Sequence, residues 1–151
     1  MAETEEFKQI DLKYIPSDQV VRKDGFYLSF PFLGADGSVA ANYDQVWTAR
    51  HPMEILRVSA AWSVASASGT LQLEKLTGTA APGAGSTILT TTISTAGAAN
   101  TVVTREGSGL TVNRQLKEGD RLAFIDGGVL TGLVGLHVTL YCKFLGRGDY
   151  R

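Results

Sequence analysis

From His51 onward, apolar and polar positions alternate with a period of two, the signature of half-buried strands. Between Glu54 and Ser66, Leu56, Val58, Ala60, Trp62 and Val64 fall on one face, while Arg57, Ser59, Ala61 and Ser63 fall on the other. After a turn at Ser68-Gly69 the alternation resumes over Thr70 to Leu76, with Leu71 and Leu73 opposed to Thr70, Gln72 and Glu74. Two such runs across a short turn predict a hairpin. Thr87 to Ser94 is rich in Thr and Ile, whose branched Cβ suits a pleated surface. Short strands are expected at Thr101 to Thr104, Leu110 to Asn113 and Arg121 to Ile125, with turns at Glu118-Gly119-Asp120 and Asp126-Gly127-Gly128. The longest strand comes last, with Leu136, Val138, Leu140, Cys142 and Phe144 alternating against His137, Thr139, Tyr141 and Lys143.

No segment sustains an apolar period of 3.6 residues with capping signals. Short strands at regular spacing, separated by small-residue turns, predict an all-β sandwich or barrel. Before His51 the pattern weakens. Gly25 to Phe32 is aromatic and apolar but contains Pro31, which has no N–H for a sheet ladder, so an edge strand or extended strap is expected there. Leu33 to Ser38 is a turn cluster. Met1 to Asp24 mixes both charge signs with isolated apolar residues, Phe7, Ile10, Leu12, Tyr14 and Ile15, that hold no strong period. It reads as an arm that orders only against a partner. The expected division is an arm and strap over 1–50, a β-sandwich domain over 51–146 and a tail over 147–151.

Composition narrows the function. A chain of 151 residues can bury a core without a metal or disulfide staple. The formal net charge is −1, and Lys and Arg form no dense run, so the electrostatic attraction that drives nucleic-acid binding has no source. Cys142 is the sole cysteine, which excludes an intrachain disulfide and a multi-cysteine metal site. Met1 to Lys8 is acidic and polar, unlike a signal peptide. The most apolar stretch, Leu122 to Leu145, carries Asp126, His137, Lys143 and several glycines, so it reads as core strands and not a membrane span. The expectation is a protein that folds in a reducing cytoplasm.

Candidate chemistry is sparse. His137 points away from the apolar set of its strand, and His51 precedes Pro52 with no His or Cys at ligand spacing, so neither predicts a base or a zinc site. Cys142 falls on the buried face and reads as a small hydrophobe. There is no strained serine elbow, and Gly83-Ala84-Gly85-Ser86 lacks the lysine of a phosphate-cradling loop, reading instead as a flexible tip. Trp47 and Trp62 read as linker and core. Arg147-Gly148-Asp149 matches the integrin-binding tripeptide, but three residues carry little information, and a solvated tail is the expected role. No enzyme activity, cofactor or metal is expected. Ala65 to Thr104 carries only two charges, Glu74 and Lys75, among Ala, Gly, Ser and Thr. An uncharged surface of this kind costs little to desolvate and suits repeated subunit packing.

The run from Ile55 to Phe144 resembles small virion proteins of tailed bacteriophages. The segments that carry the resemblance are ILRVSAAWSVAS, GTLQLEKLTGT, APGAGSTIL, AANTVV, LKEGDRLAF and GLVGLHVTLY. It implies a jelly-roll-like antiparallel β-sandwich acting as a head decoration (cement) protein or head fibre. Such a protein is often trimeric and fixed to the major capsid protein on the capsid surface. Phe7, Ile10, Leu12, Tyr14 and Ile15 are then the expected capsid-binding anchors of the arm. A carbohydrate- or receptor-binding jelly roll, or a tail- or fibre-associated module, is the alternative.

Overall fold

In a computed structural model of the protein, residues 25–32 and 45–146 are described. They form two antiparallel sheets packed face to face. The strands are β1 (Phe26–Phe32), β2 (Gln45–Thr48), β3 (Met53–Ala61), β4 (Thr70–Leu76), β5 (Ser86–Thr87), β6 (Ile93–Ser94), β7 (Val103–Glu106), β8 (Gln115–Leu116), β9 (Arg121–Gly127) and β10 (Leu136–Phe144). One sheet runs β1-β10-β3-β7, with β8 also on β3; the other runs β2-β9-β4-β5, with β6 also on β4. If β5 and β6 are taken as one interrupted strand, and β7 and β8 as another, successive strands place four in each sheet in a jelly-roll-like order. The all-β expectation is met.

Alternation sets the core. Leu71 and Leu73 of β4, Leu122 and Phe124 of β9, Val58 and Ala60 of β3, and Leu136, Val138, Leu140 and Cys142 of β10 are all buried between the sheets with Trp62. Each such large side chain contributes roughly 1.5–3 kcal/mol on burial. The strap prediction for Gly25 to Phe32 also holds in form: β1 pairs β10 along its whole length and lies at a sheet edge, with Pro31 opposite His137. Phe26, Leu28 and Phe30 pack on the core, and the Phe30 ring meets Phe124 of the opposite sheet edge-on at 5.7 Å. Both β1 and β2 precede residue 51 yet belong to the sheets; Trp47, expected in a linker, lies in β2 and packs against the core. These strands are too short, or too interrupted by Pro31, for alternation to reveal them.

Three further expectations are corrected. First, β3 and β4 are not a hairpin: they lie in different sheets, and residues 62–69 carry the chain across the top of the core. Period two reports which residues face inward, not which strand is the neighbour. Second, the face assignment of β3 slips at Leu56. The ladder pairs Arg57 with Tyr141 and Ile55 with Cys142, so Leu56 is the extra residue of a β-bulge. Ile55 is therefore buried and Leu56 only half-buried, and at the far end Val64 is exposed. Third, Leu110 to Asn113 is no strand. It leads into one helical turn, α1 (Thr111–Arg114), with Leu110 and Val112 exposed. Ser108 Oγ accepts the Leu110 N–H at 3.2 Å and turns the chain there.

The Thr87 to Ser94 region also departs from a single strand. It touches β4 at both ends, and the gap is bridged by Gln72. Its side-chain oxygen accepts the Leu89 N–H at 3.1 Å and its amide donates to the Leu89 carbonyl at 3.4 Å, standing in for a missing stretch of ladder.

Glu54 ties the lower end of the first sheet. Its side chain is 4% exposed and lies 2.8 Å from Arg114 Nε and 3.0 Å from Lys143 Nζ. The carboxylate thus joins β3 to β10 and to the helical turn. Arg114 and Lys143 keep part of their hydration, at 26% and 29% side-chain exposure, so Glu54→Gln, which leaves both cations without their anion, is expected to destabilise the fold by about 1.5–2 kcal/mol. Urea denaturation of the variant against the parent checks this.

Candidate interaction surface

Because most strands alternate between sheets, the links fall at two ends of the sandwich. At one end lie three loops of eight residues each: 62–69, 95–102 and 128–135. None contains an ionisable side chain. Residues 33–44, which join β1 to β2 and include Asp36 and Asp44, lie outside the described residues. At the opposite end the links hold Arg50, His51, Arg114, Lys117, Glu118 and Asp120.

The three uncharged loops are bound to one another. Val64 and Val134 form a β-bridge, the Ser63 N–H donates to the Val134 carbonyl at 2.9 Å, and the Ala67 N–H to the Thr131 carbonyl at 3.0 Å. On the other side, the Ser66 N–H donates to the Thr95 carbonyl at 2.9 Å and the Asn100 N–H to the Trp62 carbonyl at 2.8 Å. Buried hydroxyls complete the join: Ser66 Oγ and Thr95 Oγ1 are 2.8 Å apart, and Ser66 Oγ also accepts the Gly69 N–H. Trp62 Nε1 donates to the Gly97 carbonyl at 3.3 Å. Close approach requires glycine at two places. A Cβ at Gly69 would stand 2.3 Å from Leu130 Cδ2, and at Gly128, where φ is +68°, 2.3 Å from the Ser68 carbonyl oxygen. On this framework Val64, Val102, Val129 and Val134 are 46–66% exposed.

Glu74 and Lys75, the two charges expected on the low-charge surface, turn out to be internally engaged. Glu74 is 7% exposed, and its Oε2 accepts the Gly83 and Gly85 N–H groups at 2.9 and 3.2 Å. The glycine-rich loop expected to be a flexible tip is instead folded onto β4 over that carboxylate and Leu76. Lys75 Nζ donates to the carbonyls of Val112 and Gln115. Burial lowers its pKa, offset in part by Asp120.

The other sequence candidates fall as follows. Cys142 is buried, and burial pushes its thiol up to about 12, so it behaves as a hydrophobe. His137 is exposed on β10, with Thr139 Oγ1 3.5 Å from its Nδ1. His51 sits edge-on to Phe144 at 6.2 Å, and Phe144, expected inside, is 44% exposed and stacks on Phe26 at 4.3 Å. Among the described residues no group of three or more His, Cys, Asp or Glu is placed to hold a metal ion. Phe7, Ile10, Leu12, Tyr14 and Ile15, and the Arg147-Gly148-Asp149 tripeptide, lie outside the described residues. What sequence reasoning missed is the loop 128–135: its lack of charge was legible, but not that it bonds to 62–69, which in turn bonds to 95–102.

These features define an all-β sandwich with three interlinked loops at one end that, among the described residues, carry no ionisable side chain. The fold is similar to a chain in the capsid of Ralstonia phage GP4, with a TM-score of 0.53 and 10% sequence identity over 82% of this chain and 86% of that one. At that identity the likeness is one of fold. No protein-family model matches the chain, and no curated protein does.

One buried charge lies near the uncharged end. Asp126 pairs with Leu71 in the ladder and is 7% exposed, and neither carboxylate oxygen has a partner among the described side chains and loops. Burial raises its pKa, offset in part by its own backbone N–H. A carboxyl whose pKa is raised by folding holds its proton more tightly folded than unfolded. Its contribution is most favourable where it is neutral in both states, and worsens as pH climbs from the usual carboxylate range through the raised value. Asp126→Asn is therefore expected to melt above the parent at neutral pH, with the gap closing as pH falls toward about 4. Calorimetry across that range checks it.

Proposed function

We propose that the protein is a structural virion protein of a tailed bacteriophage: a decoration (cement) subunit that binds the major capsid protein at the capsid surface, as a homotrimer. The observation that carries this reading is the fold likeness to a phage capsid chain over 82% of the length. The built, uncharged loop end supports it, because a surface without charge can be buried against another protein without stranding an ion. The role needs no catalytic group, cofactor, metal, nucleic acid or membrane. Quantitative mass spectrometry of purified particles tests it. The expected result is a fixed, near-stoichiometric ratio to the major capsid protein. A few copies per particle would instead place the protein in the tail or a fibre, and its absence from particles would overturn the reading.

Residues 1–24 are assigned the attachment role. Phe7, Ile10, Leu12, Tyr14 and Ile15 are too few to repay the backbone entropy of ordering such a segment, roughly 1–2 kcal/mol per residue, unless a partner surface adds contacts. A chain beginning at Gly25 is expected to stay folded but to bind particles stripped of the native protein at least about tenfold more weakly, a loss of about 1.4 kcal/mol. Pelleting with stripped particles measures this; equal binding by both chains moves attachment to the sandwich.

One observation favours a second reading, a carbohydrate-binding module. Tyr27 is 68% exposed on β1, and its ring lies 5.1 Å from that of Tyr141 on β10. An exposed ring backed by a half-buried one is a surface on which a sugar can stack. Glycan-array binding lost in Tyr27→Ala would support that function.

A further inference from the structure

We infer that the uncharged loop end is the face through which copies of this chain meet around a rotation axis. The inference rests on the self-association in the reading above and names its face, which is neither a sheet edge nor a sheet surface.

The argument is one of charge. In a closed cyclic oligomer, residues near the axis face their own copies. Any ionisable side chain there meets its own sign, and like charges brought together across an interface cost several kcal/mol. A face free of charge avoids that cost. Among the described residues, loops 62–69, 95–102 and 128–135 together present a surface with no ionisable side chain, whereas the opposite end carries Arg50, Lys117 and Glu118. An acidic or basic partner would find no counter-charge on these loops. A second copy of the same loops asks for none.

Two further properties fit an interface between copies. Val64, Val102, Val129 and Val134 stand 46–66% exposed and supply apolar area to bury. The backbone bonds among the loops, the Ser66–Thr95 hydroxyl pair and the close packing at Gly69 and Gly128 hold that area in place before a partner arrives. Preorganisation of this kind lowers the ordering cost of association. The exposed valines are few, so the interface is one that a single charge can disrupt.

The test uses the full chain and three variants. Val134→Glu and Val134→Lys place either sign on the face; Thr79→Glu places a charge on an exposed position of the opposite end. Multi-angle light scattering is expected to show an oligomer for the parent and for Thr79→Glu. For both Val134 variants association should weaken by about a hundredfold or more. An equimolar mixture of Val134→Glu and Val134→Lys should recover association, because opposite signs then meet at the axis. Circular dichroism establishes that each variant is folded. As a second readout, Val134→Cys should be linked to its copies by a short bismaleimide and Thr79→Cys should not; the native thiol, Cys142, is buried and silent. An oligomeric parent whose Val134 variants remain oligomeric overturns the inference and leaves the virion reading intact. A monomeric parent at about 100 μM overturns the inference and the trimer together, while the particle content of the protein still decides the virion reading separately.

Discussion

Everything in this molecule follows from the constraint that most successive strands lie in opposite sheets. A strand that ends in one sheet must be followed by a link across the rim of the core. The links therefore collect at two ends, while the faces between them are left to alternating side chains. The core is shared: Trp62, Phe124 and Leu140 belong to different elements and pack in one cluster. β1 completes it by laying Phe26, Leu28 and Phe30 along the edge, where Pro31 costs the ladder little.

The same constraint separates the chemistry of the ends. At the lower end, charges are used inside the protein. Glu54 holds Arg114 and Lys143, Lys75 binds two carbonyls, and the Lys117 N–H donates to Asp120 Oδ2 at 2.8 Å to shape the turn before β9. At the upper end, hydroxyls and glycines do the joining, and no ion is needed. Buried polar groups without charge, such as Ser66 and Thr95, are satisfied by one another. Asp126 is the exception, a buried carboxylate that no other side chain pairs with.

Much of this was legible in the sequence. Alternation in Thr70 to Leu76 and Leu136 to Cys142 placed the inward side chains correctly, because a strand's period is a local property of the backbone. The burial of Cys142, the turn at Gly119 and the edge position of the Pro31 strand followed from equally local chemistry. The scarcity of charge over Ala65 to Thr104 was also plain, although its use was not: Glu74 and Lys75 looked like surface residues until the loop 77–85 and the helical turn were seen to cover them.

Only the tertiary structure decided which strands are neighbours. A period of two is identical for a hairpin and for a crossover between sheets, so β3 and β4 could not be told apart from a pair. The bulge at Leu56 depends on the register of β10, which lies some eighty residues away, and no local pattern encodes it. The same holds for the uncharged end. Each of its three loops lacks charge on its own, but a surface exists only because the sheets bring residues 62–69, 95–102 and 128–135 within hydrogen-bonding distance. Sequence determines what each residue can do; the long-range pairing of strands determines which residues do it together.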